Sequence, residues 1–163
     1  MTQLPDKFKL QVAQLLGQEE ADGLCRALLE EPTVSVRVNR AKAGCPPQDV
    51  ENERVPWCET GYYLSSRPSF TLDPLFHAGT YYVQEASSMF IEQAFKTMDF
   101  QPQRMLDLCA APGGKSTLWR SLLPDGALLV ANEPIRQRAM ILLENLTKWG
   151  HPDVVVTNAY PED

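Results

Sequence analysis

Met105-Leu106-Asp107-Leu108-Cys109-Ala110-Ala111-Pro112-Gly113-Gly114-Lys115-Ser116-Thr117 runs from a short apolar segment, through a turn of small residues, into a helical pattern. A second apolar run ends in Val130-Ala131-Asn132-Glu133, about twenty residues past the glycines. A tight turn at one strand's carboxyl end, answered by an acidic residue at the next strand's end, seats a nucleoside cofactor on a doubly wound sheet. The glycines let backbone approach a ligand, and the carboxylate accepts both hydroxyls of a ribose.

The same letters invite comparison with a phosphate-binding loop, because Gly114-Lys115-Ser116 ends like one. That loop wraps a phosphate in successive N–H groups and needs a glycine where this chain has Cys109. Pro112 also withdraws one N–H from the turn. The nucleotide-hydrolase reading is set aside on both counts.

Outward from the turn, strands and helices alternate. The patterns predict strands over 104–108, 127–132 and 153–157, and helices over 115–123 and 135–149, the last ended by Gly150. Such alternation makes a parallel sheet with right-handed crossovers. The earlier part of the chain is mixed. Helical spacing covers 6–16, with Gly17 as its stop, and 19–29, ended by Pro32. Thr33-Val34-Ser35-Val36-Arg37-Val38-Asn39 alternates as a half-buried strand does, so Ser35, Arg37 and Asn39 are expected on a face open to solvent or ligand. Residues 41–60 hold Gly44, Pro46, Pro47 and Pro56 and read as a loop-rich connector. A short strand at 61–64, one helical turn at 73–76 and an extended run at 79–84 follow. Residues 86–97 are expected to form one helix, with Met89, Phe90, Ala94 and Phe95 on one side.

Composition narrows the class. The chain has 163 residues, 44% of them hydrophobic, which is enough for a packed core. It has no apolar run of about eighteen residues and no signal-like start, so a soluble cytoplasmic protein without a membrane partner is expected. The net charge of −6 argues against a broad nucleic-acid footprint, although Arg37, Arg40, Lys42, Arg54 and Arg67 give the first half the material for a local patch. Cys25, Cys45, Cys58 and Cys109 form no C-x-x-C pair, and only His77 and His151 could join them. No metal site is expected, and the thiols read as free.

Three segments carry a resemblance: 79–88 (GTYYVQEASS), 106–116 (LDLCAAPGGKS), and Ala131-Asn132-Glu133 with Arg138 and Asn145. With the Val36-Arg37-Val38-Asn39-Arg40 strand, they make the chain similar to Sun/Fmu-type (NSUN-like) RNA 5-methylcytosine methyltransferases, and within them to bacterial RsmF-like ribosomal RNA enzymes. The resemblance implies an α/β fold: a small mixed α+β N-terminal domain, then the first three strands of a Rossmann-like class I methyltransferase sheet. Residues 1–80 would be the RNA-binding and positioning domain, and 81–163 the first half of the methyltransferase domain. The implied cofactor is S-adenosylmethionine, wrapped by Cys109, Ala110, Ala111, Pro112, Gly113, Gly114 and Lys115. Glu133 would hold its ribose, and Asn158 would sit near its adenine. The implied partner is RNA, with Arg37 and Arg40 as candidate phosphate contacts.

The family's chemistry uses a cysteine nucleophile that follows the third strand, so the catalytic cysteines are expected beyond Asp163. Cys109, inside the cofactor loop, is not expected to replace them. The chain is therefore expected to be inactive by itself and to be part of a longer, monomeric protein. Its first parallel strand would be left as a bare edge prone to self-association. Two competing readings are a non-catalytic RNA- or cofactor-binding module and a class I methyltransferase acting on protein or small molecules.

Overall fold

The computed structural model describes residues 3–42 and 53–162. Part of the expected connector, including Gly44, Cys45, Pro46 and Pro47, lies outside the described residues. The chain divides into two compact units, Met1–Thr33 and Val34–Asp163. The first is a helical pair, α1 (Asp6–Leu16) and α2 (Gln18–Ala27), packed on each other. Gly17 ends α1, its N–H bonding Ala13 O at 3.0 Å, and α2 starts directly after it.

The second unit holds two three-stranded sheets among the described residues. In the antiparallel sheet, β1 (Val34–Val38) lies between β2 (Gly61–Leu64) and β3 (Tyr81–Val83). Val36 sits opposite Tyr62 on one side and Val83 on the other. The division expected at residues 80 and 81 falls just before β3, so this sheet draws on both sides of it. Between β2 and β3 run a 3₁₀ turn (Phe70–Leu72) and the one-turn helix α3 (Pro74–His77), which is capped by the Asp73 carboxylate accepting from Leu75 N–H at 2.8 Å.

The open face expected for β1 is closed. Ser35, Arg37 and Asn39 are all buried, and each bonds within the protein, although Arg37 Nη1 is left without a partner. An alternating pattern separates two faces but does not show whether the polar face is covered.

The helix expected over 86–97 is interrupted. It forms as α4 (Ala86–Met89) and α5 (Ile91–Lys96), with Phe90 between them. The indole N–H of Trp57 donates to Ala86 O at 2.6 Å, taking the carbonyl that Phe90 N–H would meet in a regular helix. Phe90 N–H bonds Ser87 O instead, at 3.1 Å. Met89 is fully buried while Phe90 is exposed, with its ring edge-on to Trp57 at 6.1 Å. The two residues therefore do not share a face.

The parallel sheet has the order β4 (Arg104–Asp107), β5 (Leu128–Asn132), β6 (Val154–Thr157). Helices α6 (Gly114–Leu122) and α7 (Arg136–Trp149) connect the strands. Leu129, Ala131 and Leu142 are fully buried at its centre. Among the described residues β4 pairs only with β5, and Leu106 on it is 59% exposed. This is the α/β architecture expected from the sequence, helices with a small antiparallel sheet followed by the strand–helix alternation of a class I methyltransferase.

Candidate cofactor site

The turn between β4 and α6 is held from three directions. Asp107, at the end of β4, accepts from Ser116 Oγ at 2.8 Å and so ties the strand end to the helix. From β5, Asn132 donates to Leu108 O at 3.2 Å, while Ala110 N–H donates back to Asn132 O at 2.9 Å. From α7, Arg138 donates to Ala111 O at 3.0 Å and Asn145 to Pro112 O at 2.7 Å. The Ala111–Pro112 peptide is cis. With these carbonyls turned into the protein, the first-turn amides of α6 remain without a side-chain cap. Such an end favours an anionic group.

A cleft of about 270 Å³ lies over this turn. Cys109–Pro112, Gly114 and Lys115 form one wall; Tyr82–Glu85 and Ser88 form the other. Glu133 and Asn158 do not line it. Glu133 is 1% exposed; its Oε1 accepts from Ile135 N–H at 3.1 Å and lies 3.5 Å from Arg138 Nη1. The same guanidinium that holds Ala111 O therefore reaches Glu133 and links the turn to the acid. Asn158 is exposed and donates to Glu133 O at 2.7 Å and Pro134 O at 2.9 Å. Its amide N–H groups bind the backbone after β5, which leaves only its oxygen for a ligand.

Gly113 has a different role from the one its place in the turn suggests. Its φ is +112°, and an added Cβ would lie 3.3 Å from Leu142 Cδ1 and 3.5 Å from Asn145 Cβ. The glycine permits a left-handed turn pressed against α7, and its missing side chain leaves room for protein rather than ligand. At Gly114 an added Cβ would meet Tyr82 and Gln84 on the facing wall, at 3.3 and 3.5 Å, so this glycine sets the width of the cleft.

The two arginines separate. Arg37 is fully buried, donating from Nε to Gln84 Oε1 at 3.0 Å and from Nη2 to Thr117 Oγ1 at 2.5 Å and Gly114 O at 3.2 Å. Its guanidinium stacks 4.5 Å from the Trp149 ring centre. Desolvation lowers its pKa to about 10. This enclosure corrects the expected phosphate contact, because no face of Arg37 is left for RNA. It acts instead as a brace between β1 and the start of α6. Arg40 keeps 63% of its side chain exposed and pairs loosely with Glu59 at 3.4 Å, so it can face a polyanion. Cys109 is exposed on the turn between β4 and α6, whereas Cys58 is buried and burial pushes its thiol pKa up.

Asn132 has a role the sequence reading missed. It is 3% exposed, donates to Leu108 O and Ala159 O, and accepts from Thr157 Oγ1 and Ala159 N–H. One side chain thus joins the ends of all three parallel strands. The signal was its polarity at the end of an apolar run, directly before the acid. Asn132→Ala is expected to cost about 2 kcal/mol, because it strands buried partners. Urea denaturation checks this, and an unchanged midpoint would remove Asn132 as the junction.

The comparisons fit this geometry. The chain is 34% identical to the Ribosomal RNA small subunit methyltransferase F of Aeromonas hydrophila, over 96% of its own length and 36% of the relative's. It is 33% identical to the protein of that name in Shewanella sp. (strain ANA-3), over 97% of its length and 35% of the relative's. The chain thus spans about a third of the length of the curated relatives it matches. Among solved structures, a methyltransferase homolog protein from Pyrococcus horikoshii superposes with a TM-score of 0.73 at 27% identity, covering 96% of this chain and 57% of that one. The family profile for the N-terminal domain of 16S rRNA methyltransferase RsmF matches residues 4–86, and that for 16S rRNA methyltransferase RsmB/F matches 97–161. By these matches, the chain belongs to the RsmB/RsmF family of 16S rRNA methyltransferases.

Proposed function

We propose that this chain provides the cofactor site and part of the RNA-facing surface of an enzyme that methylates carbon 5 of cytosine in ribosomal RNA, using S-adenosylmethionine. The observation that carries the reading is the pinned turn at residues 108–114, beside a strand-end carboxylate. Its donor set suits that cofactor. The uncapped start of α6, with Lys115, offers a positive end for an amino-acid carboxylate. Glu133 offers a carboxylate for ribose hydroxyls. Cys109, Ala110, Ala111, Pro112, Gly113 and Gly114 supply the backbone that shapes the wall, and Asn158 steadies the segment after Glu133. The bound cofactor supplies the methyl group.

Cytosine is a poor nucleophile at carbon 5 until a thiolate adds at carbon 6. Neither Cys109 nor Cys58 is assigned that role. The Cys58 thiol is buried, and desolvation, reinforced by the Glu92 carboxyl, raises its pKa, which opposes thiolate formation. Cys109 belongs to the cofactor wall. We assign the nucleophile to the longer protein. Arg40, exposed just after β1, is the phosphate contact retained from the sequence. We place the enzyme in the cytoplasm, where its ribosomal substrate is found; no described helix is long and apolar enough to cross a membrane.

Isothermal titration with S-adenosylmethionine tests the reading. Glu133→Ala is expected to weaken binding by about 1.5–3 kcal/mol, the worth of a charge-assisted contact. A thermal melt of the variant controls for the loss of the Arg138 pair. Unchanged affinity in a folded variant would remove Glu133 from the ribose.

A further inference from the structure

An aromatic pocket of about 260 Å³ lies next to the cofactor cleft. Its rings are Phe70, Phe76, Tyr81, Tyr82 and Trp149. Phe70, Tyr81 and Trp149 are buried, so Phe76 and Tyr82, both half-buried, are the rings a ligand can reach. Tyr82 and Val83 line both the pocket and the cleft. Asn145 borders the pocket while its amide holds Pro112 O of the cofactor turn. The two hollows therefore share a wall.

Two cations stand at the pocket. The Arg67 guanidinium lies 5.9 Å from the Phe70 ring centre, and Lys148 Nζ lies 5.5 Å from that of Phe76. Lys148 is shared with Glu144 at 2.7 Å. Arg67 is exposed and forms no ion pair among the described residues. A cationic ligand would be repelled here, since ring faces already hold positive groups. A neutral hydrocarbon would leave Arg67 unanswered. The ligand that satisfies both features joins a flat ring to an anion, as a nucleotide does.

We propose that this pocket is a nucleotide subsite, in which one base of single-stranded RNA packs on Phe76 and Tyr82 while its phosphate meets Arg67. The inference rests on the RNA reading above and adds to it a second contact point, across a shared wall from the cofactor cleft. The negative charge of the whole chain makes a specific pocket more useful than a broad basic face.

Fluorescence anisotropy with a fluorescein-labelled single-stranded oligoribonucleotide, on the purified chain, is the test. Cytidine 5′-monophosphate is run as the free-nucleotide arm, and ultraviolet crosslinking with peptide mapping locates the contact. Arg67→Gln and Phe76→Leu are each expected to weaken oligonucleotide binding about tenfold, with unchanged melting for Arg67→Gln and a crosslink at Phe76 or Tyr82. Equal binding by both variants, with crosslinks only elsewhere, overturns the pocket and leaves the RNA reading standing. Binding of the mononucleotide alone, lost in the variants, overturns RNA as the occupant. Failure of the wild type to bind either probe overturns the subsite.

Discussion

Gly79→Ala is expected to destabilise the Val34–Asp163 unit by about 4 kcal/mol, combining left-handed backbone strain with overpacking. Gly79 has φ +69°, and an added Cβ would lie 2.0 Å from the carbonyl oxygen of Lys148 and 2.6 Å from its carbon. Both obstacles are backbone at the end of α7, so no rotamer change relieves them. The site is also a junction. Asn39 donates to Gly79 O at 3.1 Å and to Trp149 O at 2.9 Å. Lys42 donates to Ala78 O at 2.7 Å and also to Lys148 O. Moving Gly79 away from α7 breaks this set together. Thermal denaturation should show a midpoint about ten degrees lower or more. Gly126→Ala is the internal control: φ is +79°, but nothing lies within 4 Å of the added Cβ. It should cost only the backbone strain, about 1–2 kcal/mol. Equal losses at the two glycines would show that the contact with Lys148 carries no weight.

The second large effect is expected at Arg37. Arg37→Ala removes a fully buried side chain that packs on Trp149, and it leaves Gln84 Oε1 without its donor. The expected loss is about 3–4 kcal/mol, from the cavity and the stranded amide. The positive charge itself is not what stabilises, because burial disfavours it, as the lowered pKa of about 10 records. The Gly114 and Thr117 oxygens also bond each other, with Thr117 Oγ1 donating to Gly114 O at 3.0 Å. Arg37→Met, which keeps the length and drops the charge, should therefore lose about half as much as Arg37→Ala. Urea unfolding of the two variants decides. A methionine as damaging as alanine would show that the hydrogen bonds outweigh the packing.

The parallel half was the most legible part of the chain. Apolar runs and helical spacing located β4, β5, β6, α6 and α7 within a residue or so, because each ends at a residue with a local cause, such as Gly150 after α7. The turn between β4 and α6 was legible for the same reason, since its small residues are consecutive. What stayed hidden depends on partners distant in sequence. Arg37 reads as a surface charge until α6 and Trp149 close over it. Trp57 falls in the stretch read as a loop-rich connector, yet its indole N–H interrupts a helix that starts at Ala86. Gly113 reads as space for a ligand, while the space belongs to Leu142. Asn132, Arg138 and Asn145 stand out in the sequence only through the resemblance, and what they hold, strand ends for Asn132 and turn carbonyls for the other two, shows only in the fold.

The seam between β1 and the end of α7 also governs when the chain can fold. Asn39 meets Trp149 O across 110 residues of sequence. During synthesis, β1 leaves the ribosome long before α7 exists, so Arg37 and Asn39 lack their Trp149 contacts until that helix arrives. Contacts closed over so long a stretch form slowly and favour cooperative completion. The pairings of the antiparallel sheet lie within residues 34–83, but the burial of Arg37 is complete only once α6 and Trp149 are present, so an early chain that holds this sheet alone carries an arginine with nothing to bury it.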